Sequence, residues 1–334
     1  MNPEHPFAQF IRVIGRGPNL SRPLDEEEMY EAAKMIVAGD VEPLQLGAFL
    51  CILRVRTEVP GEGAGFVRAV RDTFQVPENA PAVDLDWATY SGKKRQLPWY
   101  LLSALLLAQN GVTICMQGTE GHTEGRLYSS EALSALGIPM AGGLEEAAEQ
   151  IRVTNFAYLP LKNFVPRLQE IIELKPVLGV RSPVNTFARM LNPFDAPHEL
   201  QTVFHPNYRD IHRDTAALLG QKHMAVFKGE GGEAERRPHK PVMVQYLHDG
   251  QISEELWPAL VEESAFYKDE ELDITRLPKI WNGEETDVYG EAAVIGTAAY
   301  VLRLMGRAGS PDDAVAQARE MWDARNRDRL FQAA

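Results

Sequence analysis

Three groups of basic side chains have the types and spacing to bind phosphate. The first group is Lys93, Lys94 and Arg95, in a stretch from 87 to 100 that contains no acidic residue. A lysine offers a point charge to an anion, and an arginine adds a planar fork that can hold an oxyanion through two hydrogen bonds. Such a run can equally be a solvated loop, and the residues alone leave both interpretations open.

The second group lies on a glycine-rich loop, KGEGGEAERRPHKP. Its basic members are Lys228, Arg236, Arg237, His239 and Lys240. Loops that follow strands concentrate ligand contacts in open α/β sheets, which favours a phosphate site here. Three glutamates of the same loop, Glu230, Glu233 and Glu235, favour the alternative of a mobile loop whose charges cancel.

The third group lies in HPNYRDIHRD, residues 205–214. Arg209 and Arg213 could contact phosphates and Tyr208 could stack a base, as in proteins that bind single strands. A solvated helix face is the alternative. His205 and His212 could share a helix face, but no third ligand lies nearby, and zinc takes three or four protein ligands. We therefore predict no metal site.

Composition limits how these groups can act. The chain has 334 residues and a formal net charge of −13. A chain this acidic is not a general polycation, so any binding of nucleic acid must depend on a local basic patch. An apolar content of 45% excludes wholesale disorder.

Several features bear on the compartment. Cys51 and Cys115 are the only cysteines, which excludes a disulfide framework and favours a reducing environment. The longest apolar run, residues 97–108, is too short to span a bilayer and predicts a buried helix. The first residues lack the charged and apolar regions of a signal peptide. We therefore expect a cytoplasmic protein that does not bind a membrane.

The elements that must position the basic groups change along the chain. Acidic residues at 25–28 precede an apolar pattern and predict a helix start, and helical patterns continue to about residue 74. Beyond a segment rich in proline and acids, short apolar runs at 112–116, 225–227 and 242–246 predict strands separated by helices. Such alternation is typical of an α/β domain with a largely parallel sheet.

These patterns divide the chain in two. We predict an N-terminal all-helical domain at residues 1–76 and an α/β domain at residues 77–334, with some helices near 165–195 packing on the helical domain. The opening helices carry a broad apolar stripe, formed by Phe7, Phe10, Ile11, Val13 and Ile14. Three short helices cannot cover this stripe, so we predict that the helical domain forms a symmetric homodimer interface.

Three segments resemble one enzyme family. Residues 24–73 resemble the helical domain that opens anthranilate phosphoribosyltransferases and the related pyrimidine-nucleoside phosphorylases, with matches at Gly39-Asp40 and at Gly47-Ala48-Phe49-Leu50. Residues 178–193, LGVRSPVNTFARMLNP, resemble the family's Leu-Gly-x-Arg-Thr-x-x-Asn stretch, and residues 225–235 resemble one of its strands with the following loop. The resemblance implies a fold of the nucleoside phosphorylase and phosphoribosyltransferase type, and a homodimer.

The positions that match the family's phosphate site differ. The family binds phosphoribosyl pyrophosphate on a Gly-Thr-Gly-Gly-Asp loop, whose backbone N–H groups can approach phosphate closely. The matching residues here, 87–95, read WATYSGKKR and keep one glycine. The family's Lys-His-Gly is Met116-Gln117-Gly118, and Glu120 stands where the family has an arginine.

The positions that match the metal and acceptor sites differ as well. The family's magnesium-binding Asp-Glu pair aligns near Glu233-Ala234, and its anthranilate-binding arginine aligns near Lys175. Arg181, in the best-matched segment, is either an internal ion-pair partner or a ligand contact. These departures imply that the fold was kept while the parent chemistry was lost or changed, and we predict no turnover of anthranilate.

Residues 91–111, SGKKRQLPWYLLSALLLAQNG, and residues 205–214 resemble the YbiB-type branch of the family. That resemblance implies sequence-independent binding of nucleic acid by a homodimer without a cofactor. Its phosphate ligands would be Lys93, Lys94, Arg95, Arg209, Arg213, Lys228, Arg236, Arg237 and Lys240. One alternative is a glycosyltransferase or phosphorylase that acts on an unknown, non-anthranilate substrate, in which case magnesium is possible. Another is a fold remnant that binds a protein. Catalytic residues stay unassigned.

Overall fold

Helices form the N-terminal part of the chain in a computed structural model that describes residues 3–17 and 19–331. They are α1 (Ala8–Gly15), α2 (Glu26–Ala38), α3 (Pro43–Arg56) and α4 (Pro60–Arg71). Asp25 caps α2, because its carboxylate accepts the N–H of Glu28 while Glu28 accepts the N–H of Asp25. The acidic residues at 25–28 thus start a helix as their pattern predicts.

The apolar stripe of α1 is mostly covered within the chain. Phe7, Phe10 and Ile14 are buried, and the Phe7 ring packs edge-on against Phe49 of α3 with ring centroids 5.2 Å apart. Ile11 is half-buried. The bundle therefore buries most of this stripe by itself, and the stripe does not require a partner chain to cover it. The homodimer stays a prediction.

The strands of the described chain form one sheet. They are β1 (Leu85–Thr89), β2 (Ile114–Gly118), β3 (Phe156–Pro160), β4 (His198–Val203), β5 (His223–Lys228), β6 (Val242–His248) and β7 (Gln251–Trp257). Their order is β3-β2-β1-β4-β5-β6-β7, with β1 to β5 parallel and β6 and β7 antiparallel at one edge. A helical part followed by an α/β part with a largely parallel sheet confirms the predicted fold class.

Helices connect and cover the strands. They are α5 (Trp99–Gln109), α6 (Ser129–Ala135), α7 (Leu144–Thr154), α8 (Pro166–Glu173), α9 (Lys175–Leu178), α10 (Val184–Phe187), α11 (Tyr208–Leu218), α12 (Arg276–Asn282), α13 (Val288–Leu304) and α14 (Pro311–Ala324). Helix α5 is buried along nearly its whole length, as its apolar run predicts. Within residues 3–17 and 19–331, none of the helices is both long and apolar enough to cross a bilayer.

Two central strands contain polar residues, so an apolar pattern in the sequence does not reveal them. Asp86 in β1 and both Glu199 and Gln201 in β4 are buried. Strand β1 begins at Leu85, inside the segment 75–86 that its proline and acid content marks as a linker. The sequence pattern therefore misses β1 and β4, although they form the middle of the sheet.

Residues 161–191 pack with the helical bundle although they lie between β3 and β4 in the chain. The ring of Phe187 in α10 lies against that of Phe66 in α4, with centroids 4.8 Å apart. Tyr90, just after β1, belongs to the same hydrophobic cluster. The carboxyl ends of the central strands therefore face the bundle, and the loops that follow them meet it across a cleft.

Candidate functional site

The loop after β1 is closed by the loop after β5. The backbone N–H groups of Ser91 and Gly92 both donate to the same carboxylate oxygen of Glu233, with the Ser91 nitrogen 2.7 Å away. Arg126 holds the other side of this loop by donating to the carbonyl oxygens of Ser91 and Gly92 at 2.8 and 2.9 Å. Burial raises the pKa of Glu233, and the nearby Arg189 guanidinium opposes that rise. The Glu233 carboxylate on one side and the Arg126 guanidinium on the other thus hold the loop in place.

Lys93 does not belong to an exposed cluster with its neighbours. It is 1% exposed and pairs with Glu235, which is fully buried. The second carboxylate oxygen of Glu235 accepts the N–H of Tyr100 at 3.0 Å. Burial raises the pKa of Glu235 to about 7, and the Lys93 ammonium opposes that rise. The ion pair corrects the assignment of Lys93 as a phosphate ligand, whereas Lys94 and Arg95 are exposed.

The basic residues of the second group also differ from one another in burial and pairing. Arg236 is fully buried, with its guanidinium carbon 5.1 Å from the ring centroids of Trp257 and Tyr300. It is not available to a ligand on the surface, which corrects its assignment. Lys240 lies 3.2 Å from the carboxylate of Glu263. Of the remaining members, Lys228 and Arg237 are half-buried and His239 is buried.

One of the two arginines of the third group is neutralised by its own helix. Arg213 forms ion pairs with Asp210 and Asp214 at 2.9 and 2.8 Å. Arg209 donates to the carbonyl oxygen of Met243 at 3.2 Å. The structure therefore leaves Arg213 with less free positive charge than its place in the sequence suggests.

The two histidines of this segment are separated by burial. His212 is buried and hydrogen-bonds to Gln201 at 2.7 Å, and burial lowers its pKa to about 3. His205 is exposed. In the described ranges no group of three or more histidine, cysteine or acidic side chains is arranged to hold a metal ion.

A cavity of about 160 Å³ lies where the bundle meets the carboxyl ends of the strands. Three arginines line it: Arg54 from α3, Arg181 from the turn before α10, and Arg189 from the turn after it. None of the described side chains that line this cavity is acidic. It therefore presents positive charge in a protein whose net charge is −13.

Two polar side chains of the cavity are buried with unused hydrogen-bonding capacity. Arg189 is 8% exposed and donates from one nitrogen to the Ser91 hydroxyl at 2.7 Å, while its second terminal nitrogen has no partner in the described chain. The hydroxyl of Ser182 is likewise buried and unpartnered there. Burial lowers the pKa of Arg189. A ligand in the cavity would supply acceptors to these two buried donors.

Further positive charge surrounds the cavity. The Lys175 ammonium and the Arg181 guanidinium both donate to the hydroxyl of Thr123 at 3.2 Å. Burial and then the neighbouring Arg181 and Arg126 lower the pKa of Lys175. We call the five side chains of this region the cleft cations: Arg54, Arg126, Lys175, Arg181 and Arg189.

The cleft cations bond to neutral groups. Their acceptors are the hydroxyls of Tyr208, Thr123 and Ser91 and backbone carbonyl oxygens. Within the described residues, none of the five forms an ion pair with a carboxylate at 4.0 Å or less. Two buried carboxyl groups lie nearby without forming an ion pair: Arg54 opposes the rise that burial causes in the pKa of Glu58, and Arg189 does the same for Glu233.

The cleft cations carry no signal of local charge density in the sequence. Arg54, Arg126 and Arg189 lie far apart in the chain, and none belongs to a basic run. The resemblance to the family is the signal that points to this region. Arg181 and Arg189 lie inside the matched segment 178–193, and Lys175 aligns near the family's anthranilate-binding arginine.

Family models match most of the chain. A model described as glycosyl transferase family, helical bundle domain, matches residues 8–74, and one described as glycosyl transferase family, a/b domain, matches residues 100–324. Among curated relatives, an uncharacterized protein of Aquifex aeolicus is 29% identical over 246 residues, 72% of this chain and 73% of that protein. An anthranilate phosphoribosyltransferase of Burkholderia mallei is 28% identical over 236 residues, 70% of this chain and 68% of that protein.

Solved structures share the fold. Anthranilate phosphoribosyltransferase from Thermus thermophilus superposes with a TM-score of 0.75 at 24% identity and covers 96% of this chain and 94% of its own. The enzyme from Saccharomyces cerevisiae in complex with PRPP and Mg has a TM-score of 0.78 at 15% identity and covers 98% and 96%. At these identities the likeness concerns the fold.

Proposed function

The chain belongs to the glycosyl transferase family whose members join a helical bundle domain to an a/b domain, with the fold of anthranilate phosphoribosyltransferase, and from this premise we propose that it binds nucleic acid without sequence preference in the cleft between the two domains. The observation that carries the proposal is the set of cleft cations, which have no carboxylate partner in the described chain. Contacts to phosphate position a nucleic acid but carry no sequence information.

The electrostatics support this proposal. A net charge of −13 repels a polyanion at long range, so attraction must come from a concentrated cluster inside a cleft, where low-dielectric walls focus the field. Arg54 comes from the bundle and Arg181 from the inserted segment that packs on it, while Arg126 lies on the α/β side. A strand that follows the cleft would contact both parts of the protein.

We also propose that the loop after β1 no longer binds phosphoribosyl pyrophosphate. Its two N–H donors already bind the carboxylate of Glu233, and its lysine, Lys93, is held by Glu235. A pyrophosphate would have to displace the Glu233 carboxylate and break the buried ion pair between Lys93 and Glu235. The Glu233 carboxylate thus occupies the N–H donors with which the matching loop of the family binds phosphate.

The residues near this loop do not fit the magnesium ion of the family. One oxygen of Glu233 is used by two N–H groups, Glu235 is paired with Lys93, and Ala234 lies between them. Magnesium needs oxygen ligands arranged close to an octahedron. We therefore derive no reaction step through a metal in this chain.

The rival function is transfer of a sugar to or from a non-anthranilate acceptor. It is favoured by the buried, unpartnered donors of Arg189 and Ser182, since a cavity of about 160 Å³ also has room for a small anionic group. The two functions differ in the ligand that must bind: a polyanion in one case, and a phosphorylated sugar with magnesium in the other.

A salt-titrated binding assay separates them. Fluorescence anisotropy with labelled single-stranded and double-stranded DNA of several unrelated sequences should show binding at low salt, similar affinity for all sequences of one strand type, and a steep fall of affinity with salt. In parallel, phosphoribosyl pyrophosphate with magnesium should leave the melting temperature unchanged. Absence of DNA binding at low salt, together with a rise in melting temperature, would overturn the proposal in favour of the rival.

A further inference from the structure

An exposed aromatic ring lies at the wall of the cationic cavity. Phe204 follows the last residue of β4 directly and is 54% exposed. It lines the same cavity as Arg181 and Arg189. A single exposed phenylalanine is ordinary on a protein surface and carries no meaning by itself. Phe204 differs from such a residue because it shares a cavity with the buried, unpartnered donors of Arg189 and Ser182.

The backbone beneath this ring is well held. The hydroxyl of Thr202 donates to the carbonyl oxygen of Gly232 at 3.0 Å, which ties the end of β4 to the loop after β5. The ring of Phe204 meets the ring of His205 edge-on, with centroids 4.9 Å apart. The phenyl ring is therefore presented from a fixed strand end.

The neighbouring aromatic residue is less suited to contact a ligand. The sequence suggests Tyr208 as the residue that stacks a base, but its hydroxyl accepts a hydrogen bond from Arg54 at 3.1 Å and the side chain is half-buried. Phe204 carries no polar group to satisfy. Of the two rings, Phe204 has the larger free area.

We infer that Phe204 stacks one base of a single-stranded nucleic acid while the neighbouring phosphate contacts Arg181 and Arg189. The cleft therefore prefers single strands to duplex. This inference rests on the proposed function. Every base has a π-face, so an aromatic platform binds a strand without reading its sequence. In a duplex both faces of a base are covered by its neighbours, and exposing one requires local unstacking. The cleft cations bind either form through its phosphates, whereas the ring binds only the single strand.

The test compares Phe204→Ala, Phe204→Trp and a matched control, Leu256→Ala, which removes another exposed apolar side chain on β7. Phe204→Ala should weaken binding of single-stranded DNA about 5- to 100-fold, the range found for single stacking contacts, and leave duplex affinity unchanged. Phe204→Trp should retain the parent's affinity, and Leu256→Ala should behave like the parent. The salt slope should be the same for all four proteins, because no phosphate contact is removed.

A spectroscopic readout tests the stacking itself. A single-stranded oligonucleotide that carries 2-aminopurine should change its fluorescence on binding to the parent and to Phe204→Trp, and should change it less on binding to Phe204→Ala. Equal losses for single strand and duplex, or no loss for either, would overturn the inference while salt-dependent binding keeps the proposed function. If the parent binds neither form at low salt, the proposed function itself fails.

Discussion

Lys93 and Glu235 form an ion pair that is excluded from solvent, with side-chain exposures of 1% and 0%. Lys93 begins the most basic run in the sequence, Lys93-Lys94-Arg95, yet its charge is used inside the protein. Lys94, its neighbour, is exposed. The two adjacent lysines therefore differ in burial and pairing, and the effects of the same substitution on stability can be compared between them.

Lys93→Met should destabilise the protein strongly, whereas Lys94→Met should not. Removing Lys93 leaves the buried carboxyl of Glu235 without its cation, which costs about 3–5 kcal/mol in the free energy of unfolding. A change at the exposed neighbour is expected to stay within about 0.5 kcal/mol. Urea unfolding followed by circular dichroism measures both, and equal stabilities would contradict the buried ion pair.

A double variant sharpens this comparison. Lys93→Met combined with Glu235→Leu removes both charges and should recover much of the stability lost in Lys93→Met. The single variant should also recover part of its loss at pH 5.5. Burial raises the pKa of Glu235 to about 7 in the parent even though Lys93 opposes that rise, so without Lys93 the carboxyl is neutral at this pH.

The cleft cations should control the salt dependence of DNA binding. Arg54→Gln with Arg181→Gln should weaken binding of unrelated sequences equally and lower the salt slope by about two units, roughly one for each phosphate that is no longer neutralised. The control is Arg307→Gln with Arg319→Gln, which makes the same change of charge at two exposed arginines. A control that weakens binding as much as the cleft variant would show that net charge alone, not the cleft, governs binding.

Sequence reasoning finds several parts of this fold whose local pattern agrees with their burial, but it misses β3, which is apolar and buried. Strand β2 and helix α5 are apolar runs, and both are predicted. Strand β4 is missed because Glu199 and Gln201 are buried through hydrogen bonds to partners distant in the chain or on the same strand, which no local pattern reveals. The resemblance draws attention to Arg181 and Lys175, but the cleft as a whole is not predicted, since Arg189 acquires its environment only through tertiary contacts.

Two buried acids should make stability depend on pH. Asp86 and Glu199 are direct neighbours in the pairing of β1 with β4. Burial raises the pKa of both, and raises that of Glu199 to about 7. Because the folded pKa lies above the unfolded one, the native state holds the proton more tightly. The resulting stability is present below about pH 4.5 and is lost as the pH rises through about 7.

Glu199→Gln mimics the protonated form and should remove the part of this dependence that Glu199 contributes. The free energy of unfolding of the variant, relative to the parent, should increase between pH 5 and pH 8 by an amount on the order of 3 kcal/mol at most. Glu320→Gln, at an exposed position on α14, is the control and should show no such trend. A difference that stays constant with pH would contradict the assignment. Thermal or urea unfolding across this range provides the measurement.

The homodimer remains a proposal, now based on residues other than the α1 stripe. Leu44 and Val55, near the two ends of α3, are 89% and 87% exposed. Light scattering at micromolar concentration should give the mass of two chains, and Leu44→Glu with Val55→Lys should give that of one. Leu256→Glu, on the α/β part, should leave the dimer intact. A monomeric parent protein would contradict the proposal.

Glu233→Ala should open the loop after β1 to an external anion. In the parent, the N–H groups of Ser91 and Gly92 are bound by the Glu233 carboxylate, so pyrophosphate should leave the melting temperature unchanged. The variant should melt lower without ligand, because two buried N–H groups lose their acceptor at about 1–3 kcal/mol each. Pyrophosphate should then raise its melting temperature by taking the place of the carboxylate beside Arg189.

The control for this experiment is Glu230→Ala. Glu230 is buried on the same loop, and its removal takes away a nearby negative charge without freeing the two N–H donors. If electrostatics alone limited anion binding, both variants would gain affinity for pyrophosphate. If the internal carboxylate closes the site, only Glu233→Ala gains it, because only that change exposes donors whose geometry suits an oxyanion. Equal stabilisation of the parent and of Glu233→Ala by pyrophosphate would show that the anion binds without the two N–H donors, and would contradict closure of the site by Glu233.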